Sequence, residues 1–196
     1  IKNIEGCKVY ICDDVSIKNK NNRYYHLILW CKNEVGRLNL NTLMSISEHP
    51  DNFYYKPRID FNILKQYSEG LICLSACMAG EISRFLEVEE LEEAKKRALK
   101  YKEIFQDDYY LEIQAHMDSS QIVQNKKIVK LAKELDIELV VTCDAHYVNK
   151  EDKNYQNKYA FNGSYKEDGE IYVDCFIQSE EEVYERIKYL DSNIVS

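Results

Sequence analysis

Thr142-Cys143-Asp144-Ala145-His146-Tyr147 sets a carboxylate and an imidazole two residues apart, directly after the apolar run Glu138-Leu139-Val140-Val141-Thr142. On extended backbone, residues at that spacing point to one side, so Asp144 and His146 could reach one cation. In α/β folds with parallel strands, the carboxyl ends of strands are where ligands and catalytic groups collect. A D-x-H pair alone is a weak signal, and the favoured reading of it is a structural or solvent-exposed pair. Three more residues sit near run ends in the same way. Cys77, in Leu74-Ser75-Ala76-Cys77-Met78-Ala79-Gly80-Glu81, could bind a soft or borderline metal as thiolate, or be a small buried hydrophobe. His26, with Leu27 and Leu29 beside it, reads by default as a satisfied core histidine, and His116, closing Glu112-Ile113-Gln114-Ala115-His116, as an exposed loop residue.

Tyr54-Tyr55-Lys56-Pro57-Arg58-Ile59-Asp60 mixes aromatics and cations that could touch a phosphate or stack on a base. The favoured alternative is a loop packing its tyrosines against the fold, with Asp60 capping the next helix. The charge run from Glu87 to Lys102 is the solvated side of an amphipathic helix with Glu/Lys pairs. Seven cysteines, an odd number without CxxC spacing, read mostly as buried thiols in a reducing cytosol. The net charge of -8 argues against a general nucleic-acid-binding surface, because phosphate contacts need Lys and Arg gathered on one face. No apolar run reaches the roughly 18 residues of a membrane span, and the first residues lack a signal-peptide layout. A cytoplasmic protein with no membrane partner is the expectation.

These groups must be positioned by alternating elements. At 196 residues the chain suits one domain. Lys8 to Cys12 and Tyr24 to Cys31 predict two strands joined by an exposed loop. Glu34 to Ser47 has helical spacing, with Val35, Leu38, Leu40, Leu43, Met44 and Ile46 on its apolar face. Leu71 to Ser75, Tyr109 to Ile113 and Glu138 to Thr142 predict strands, and Leu91 to Phe105 a helix. A further helix runs to Leu135, capped by Ser119 or Ser120, with Ile122, Val123, Ile128, Val129, Leu131 and Leu135 inward. Residues 149–169 turn polar, as in a surface loop, with order resuming near Ile171. Ser179-Glu180-Glu181-Glu182 is a capping box opening a helix through Tyr189. The alternation implies an α/β domain with largely parallel strands.

Taken in order, Ile4 to Tyr10, Tyr25 to Leu29, Phe53 to Asp60, Gly70 to Glu81, Tyr110 to His116 and Thr142 to Tyr147 with Asn149 and Asp152 resemble the N-terminal PHP (polymerase and histidinol phosphatase) domain of the bacterial C-family replicative polymerases. Phe176 to Glu182 is similar to the stretch that closes that domain. The resemblance implies a distorted seven-stranded β/α barrel, N-terminally truncated, with residues 1–152 as a core lacking its first strands and residues 153–196 as a surface loop and closing helix. It implies metal positions at His26, Cys77, His116, Asp144 and His146, for zinc, manganese or magnesium. Two departures narrow this. The family's upstream His-x-His and Asp-His-Gly segments have no counterpart here, and Lys8 stands where the family has an acidic ligand, so one ion at most is expected and no hydrolysis. The implied parent is a DNA-directed DNA polymerase. Its implied partners are the rest of the alpha chain, replisome and proofreading subunits, and DNA held by other domains. The competing readings are a free-standing phosphoesterase of the histidinol-phosphatase type and a structural interaction module.

Overall fold

The computed structural model describes residues 4–22, 24–155 and 174–190. Six strands form one mixed sheet: β1 (Gly6–Cys12), β2 (Tyr24–Cys31), β3 (Arg58–Asp60), β4 (Leu71–Leu74), β5 (Tyr109–Gln114) and β6 (Leu139–Thr142), in spatial order β3-β1-β2-β4-β5-β6. The strands are not uniformly parallel. β2 runs antiparallel to both β1 and β4, while β1 with β3, β4 with β5 and β5 with β6 pair parallel. The β1–β2 connection is a hairpin, which forces antiparallel pairing, and the later connections carry helices, which permit the parallel one.

Period-2 alternation sends Val9, Ile11, Leu27, Leu29, Leu71, Cys73, Tyr109, Leu111 and Ile113 to one face, where they join the core with the helices. Those helices are α1 (Glu34–Ser47), α2 (Phe61–Gln66), α3 (Glu81–Glu87), α4 (Leu91–Phe105) and α5 (Ser119–Leu135), and α6 (Glu180–Ile187) follows later in the chain. The other face holds Tyr10, His26, Ile28, Trp30, Ile72 and Tyr110, all half-buried.

The α1 bounds coincide with the sequence expectation, but its buried stripe is Gly36, Leu40, Leu43 and Ser47, and the expected Val35 and Leu38 are exposed. Gly36 belongs to that stripe because α1 crosses the backbone at Gly70, where a Cβ on Gly36 would lie 1.8 Å from the Gly70 carbonyl oxygen. α5 also differs from expectation. Asp118, and neither serine, caps it by accepting from the Gln121 amide, and Val123 faces out. The first turns of α5 bury Gln121, Gln124 and Asn125 instead, because that end of the fold is polar: Asn125 donates to the Gln114 carbonyl at 2.8 Å and Gln124 to that of Ser83 at 3.1 Å.

In the Tyr54 to Asp60 segment Arg58 and Asp60 are structural, whereas Tyr55, expected to pack against the fold, is 74% exposed. Arg58 is fully buried and donates to the carbonyls of Asn52, Ile17 and Val15, while Asp60 caps α2 through the Asn62 and Ile63 amides. Residues 58–60, read as loop, pair with β1 as a strand. The charge run is broken into two helices at Val88–Glu90, with Glu89 at φ +62. The capping box at Ser179 and Glu182 is present, and α6 ends at Ile187. The expected surface loop falls largely outside the described residues, as does the resumption at Ile171. Two cysteines, Cys12 and Cys73, are fully buried; the other five are half-buried, and all seven are free thiols. Among the described residues no helix is long and apolar enough to cross a membrane.

Candidate metal centre

His26 lies near the start of β2, opposite Tyr10 in register, with the two rings 5.3 Å apart edge to face. Its backbone amide donates to the Ala79 carbonyl at 3.0 Å, which ties β2 to the loop between β4 and α3. That loop carries Cys77, whose sulfur stands 3.5 Å from His26 Nδ1. The loop is tight. Ala76 takes the left-handed φ of +64, and a Cβ on Gly80 would meet the Ser75 carbonyl oxygen at 2.2 Å. Burial and then the nearby Lys8 ammonium hold the His26 imidazole below its ordinary pKa, so it favours the neutral form that ligates metals. Burial pushes the Cys77 thiol up, and Asp144 and Glu112 push the same way.

His116, expected on local grounds to be exposed, is 2% exposed just past β5. Both its ring nitrogens are buried without a hydrogen-bond partner. Buried polar atoms nearly always have partners, and with the Asp174 backbone as the neighbour that bears on this ring, the imidazole still has a nitrogen to offer a cation. Burial lowers its pKa, against the opposing pull of Asp144 and Asp118.

Asp144 and His146 depart from the extended geometry expected of them. β6 ends at Thr142, and Asp144 is left-handed at φ +45. The His146 ring turns back on the chain, with Nδ1 2.6 Å from the Asp144 carbonyl oxygen, and is exposed. Its amide donates to the Cys175 carbonyl at 2.7 Å. The Asp144 carboxylate nevertheless acts electrostatically on His26, Cys77, Glu112, His116 and Cys175. The structure thus gathers His26, Cys77, His116 and Asp144 at one end of the sheet, with His26 and Cys77 in contact. The His146 ring meets the Asp144 backbone, and no hydrogen bond among the described residues joins it to His26, Cys77 or His116.

Two neighbours had not been singled out. Glu112 is a carboxyl residue of β5, 4% exposed, with Oε1 accepting from Thr142 and Gln114 and Oε2 unpartnered. Its signal was a carboxylate inside an apolar strand. Cys175, whose thiol burial and then Asp144 push up to about 11, lies beyond the polar loop, where spacing gave no hint of its approach.

The donor types fit a divalent cation: neutral imidazoles, a thiol and carboxylates, with orphaned atoms on His116 and Glu112. The side chains do not form a closed cage, since no three His, Cys, Asp or Glu groups among the described residues are arranged to hold an ion. The Lys8 ammonium would oppose a cation held at His26, and the Asp144 carboxylate would favour one.

A mixed sheet backed by helices, with imidazole, thiol and carboxylate groups collected at one end, is the layout of an α/β domain built to present donors at strand ends. A family model described as PHP domain matches residues 1–116, and the chain belongs to that family. Among curated relatives it is similar to the DNA polymerase III subunit alpha of Borreliella burgdorferi, 43% identical over 161 residues that make up 80% of this chain and 14% of that protein. The protein of that name from Aquifex aeolicus is 43% identical over 66% of this chain and 11% of its own length. That of Treponema pallidum is 41% identical over 80% and 14%. The chain therefore spans about a seventh of the length of the relatives it matches most fully.

Proposed function

We propose that the chain is the PHP-domain part of a replicative DNA polymerase III alpha subunit, serving as a scaffold with an incomplete metal centre. The observation that carries this reading is the alignment, which takes in 80% of the chain and only 14% of the Borreliella relative. In this reading the parent is a DNA-directed DNA polymerase, and the chemistry of nucleotide addition belongs to other parts of it. DNA is gripped elsewhere too, which accords with a net charge of -8. The partners are the remainder of the alpha chain and replisome and proofreading subunits. The six strands are taken as part of the family's seven-stranded barrel, with residues 1–152 as its core and 153–196 as its close.

The metal positions are His26, Cys77, His116, Asp144 and His146, for a single zinc, manganese or magnesium ion. When bound, such an ion supplies Lewis-acid activation of a phosphate ester. The chain's own residues do the rest: His116 offers a neutral nitrogen in a dry setting, Asp144 offsets positive charge, and Cys77 beside His26 contributes a soft donor. Lys8 opposes a second ion, so the chain by itself is expected to lack hydrolytic activity.

Metal analysis of the purified chain tests the centre. Stoichiometric zinc or manganese that is lost on Asp144→Ala, with the fold retained by circular dichroism, is the expected result; metal content indifferent to that change overturns it. Sequencing the gene past Ser196 tests the parent. An open frame with polymerase carboxylates is expected, and a stop codon soon after Ser196 would sink the polymerase assignment.

A further inference from the structure

Glu112 is a buried carboxylate in an otherwise apolar stretch of β5, and its partner in register on β6 is Val140. Its connections run in two directions. Its Oε1 accepts from the Thr142 hydroxyl at 2.7 Å, the last residue of β6 before the loop bearing Asp144 and His146. Its amide donates to Ser75 Oγ at 2.8 Å, the first residue of the loop bearing Cys77, and Ser75 in turn donates its own amide to Tyr110. The Ala76 amide also favours the charged carboxylate, and Ala76 is the left-handed residue on which that loop turns. Gln114 donates to Oε1 at 3.1 Å, fixing the rotamer from within β5.

We propose that Glu112 is a positioning residue that holds the Cys77 loop and the Asp144–His146 loop at a fixed separation across β5. The proposal deepens the metal-centre reading and rests on it for the purpose of that separation. β4 and β6 never touch in the sheet, each being paired to a different edge of β5. Both loops leave from backbone bonds to β5, with the Ser75 amide on the Tyr110 carbonyl and the Ala115 amide on the Thr142 carbonyl, and Glu112 adds a tie to each, its amide to Ser75 Oγ and its carboxylate to Thr142. A carboxylate suits the task because one oxygen can accept from two donors. Oε1 is used in that way, and Oε2 is left without a partner of its own.

The test uses the full chain and two readouts. Hydrogen exchange is followed in residues 75–80 and 142–147, and manganese and zinc affinities are titrated, in the parent sequence, Glu112→Leu and Thr142→Val. In Glu112→Leu both segments are expected to exchange at least about tenfold faster while α4 and α5 keep their protection, and metal affinity to fall about 10- to 100-fold. In Thr142→Val only residues 142–147 are expected to exchange faster, with a smaller loss of affinity. Unchanged exchange in either segment of folded Glu112→Leu overturns the proposal, and so does a fall in affinity without faster exchange, which would make Glu112 a ligand. Should Glu112→Leu not fold, unchanged exchange in residues 142–147 of Thr142→Val is the overturning result. If the parent sequence binds neither metal, the metal-centre reading fails by itself, and the exchange comparison still decides whether Glu112 couples the loops.

Discussion

Replacing Arg97 with Met removes the cation that ion-pairs directly with the buried carboxylate of Glu81. Glu81 opens α3, immediately after the Cys77 loop, and is 3% exposed. Its Oε1 accepts from Arg97 at 2.8 Å and its Oε2 from the Tyr101 hydroxyl at 2.8 Å. Arg97 also donates to Asp13 and Glu93 and lies 5.6 Å over the Phe85 ring. Breaking a buried pair by deleting one partner costs about 3–5 kcal/mol, and the partial exposure of Arg97 places this case near about 3 kcal/mol. For a chain of this size that is a fall in Tm of about 6–12 °C.

The pH dependence of the same change has a definite sign. Burial raises the Glu81 pKa, while Arg97 and Tyr101 lower it and Asp13 raises it. The folded state then holds a proton more tightly than the unfolded state, so stability declines as pH rises from the ordinary carboxyl pKa through the raised folded value. Without Arg97 that folded value climbs and the decline deepens. Glu93, whose pKa the Arg97 hydrogen bond lowers, adds a loss of the same sign, since its stabilisation is present only above its own titration. The deficit of Arg97→Met is therefore largest at pH 7 and shrinks toward about pH 4, where free carboxyls are protonated. Urea denaturation of both proteins at the two pH values measures it. A loss below about 1 kcal/mol at pH 7, or one of equal size at both pH values, would refute the reasoning, because either means that Glu81 is not the uncompensated group.

Two further outcomes are expected. Gly36→Ala drives a methyl group into the Gly70 carbonyl, and Gly70 is itself held at φ +73, so the chain should lose about 1–3 kcal/mol in urea denaturation even though Ala is the better helix former. Lys8→Glu exchanges a repelling charge near His26 for an attracting one and should strengthen manganese binding about tenfold in a spin-resonance titration, whereas unchanged or weaker binding would remove Lys8 from the account of the incomplete centre.

Much of the scaffold was legible in the sequence because its signals are local. The bounds of α1, α4 and β2 follow from apolar spacing, and the Ser179–Glu182 box formed as written. Short elements were the ones missed. β3 has three residues and α3 seven, too few for a period to declare itself. Inward faces were misjudged at Val35, Leu38 and Val123 because apolar type was read as burial. On α5 the interior is reached by Gln121, which donates to Asn125, and by Gln124 and Asn125, whose bonds go to helix and strand carbonyls of other elements.

For the site, the sequence by itself determined which donor types are present and that they fall near strand ends. It also set a cation, Lys8, among them. Tertiary structure decided everything that depends on strand order. With β2 set between β1 and β4, His26 meets Cys77 across 51 positions of chain, a pairing no spacing rule contains. The Asp144–His146 pair, whose two-residue spacing suggested a shared side, is bent by the left-handed Asp144 so that His146 bonds to its own loop. Glu112 became visible only once β5 stood between β4 and β6. Periodicity is a property of one segment, whereas a metal centre at strand ends is a property of how segments are ordered, and that order is settled by packing over the whole sheet.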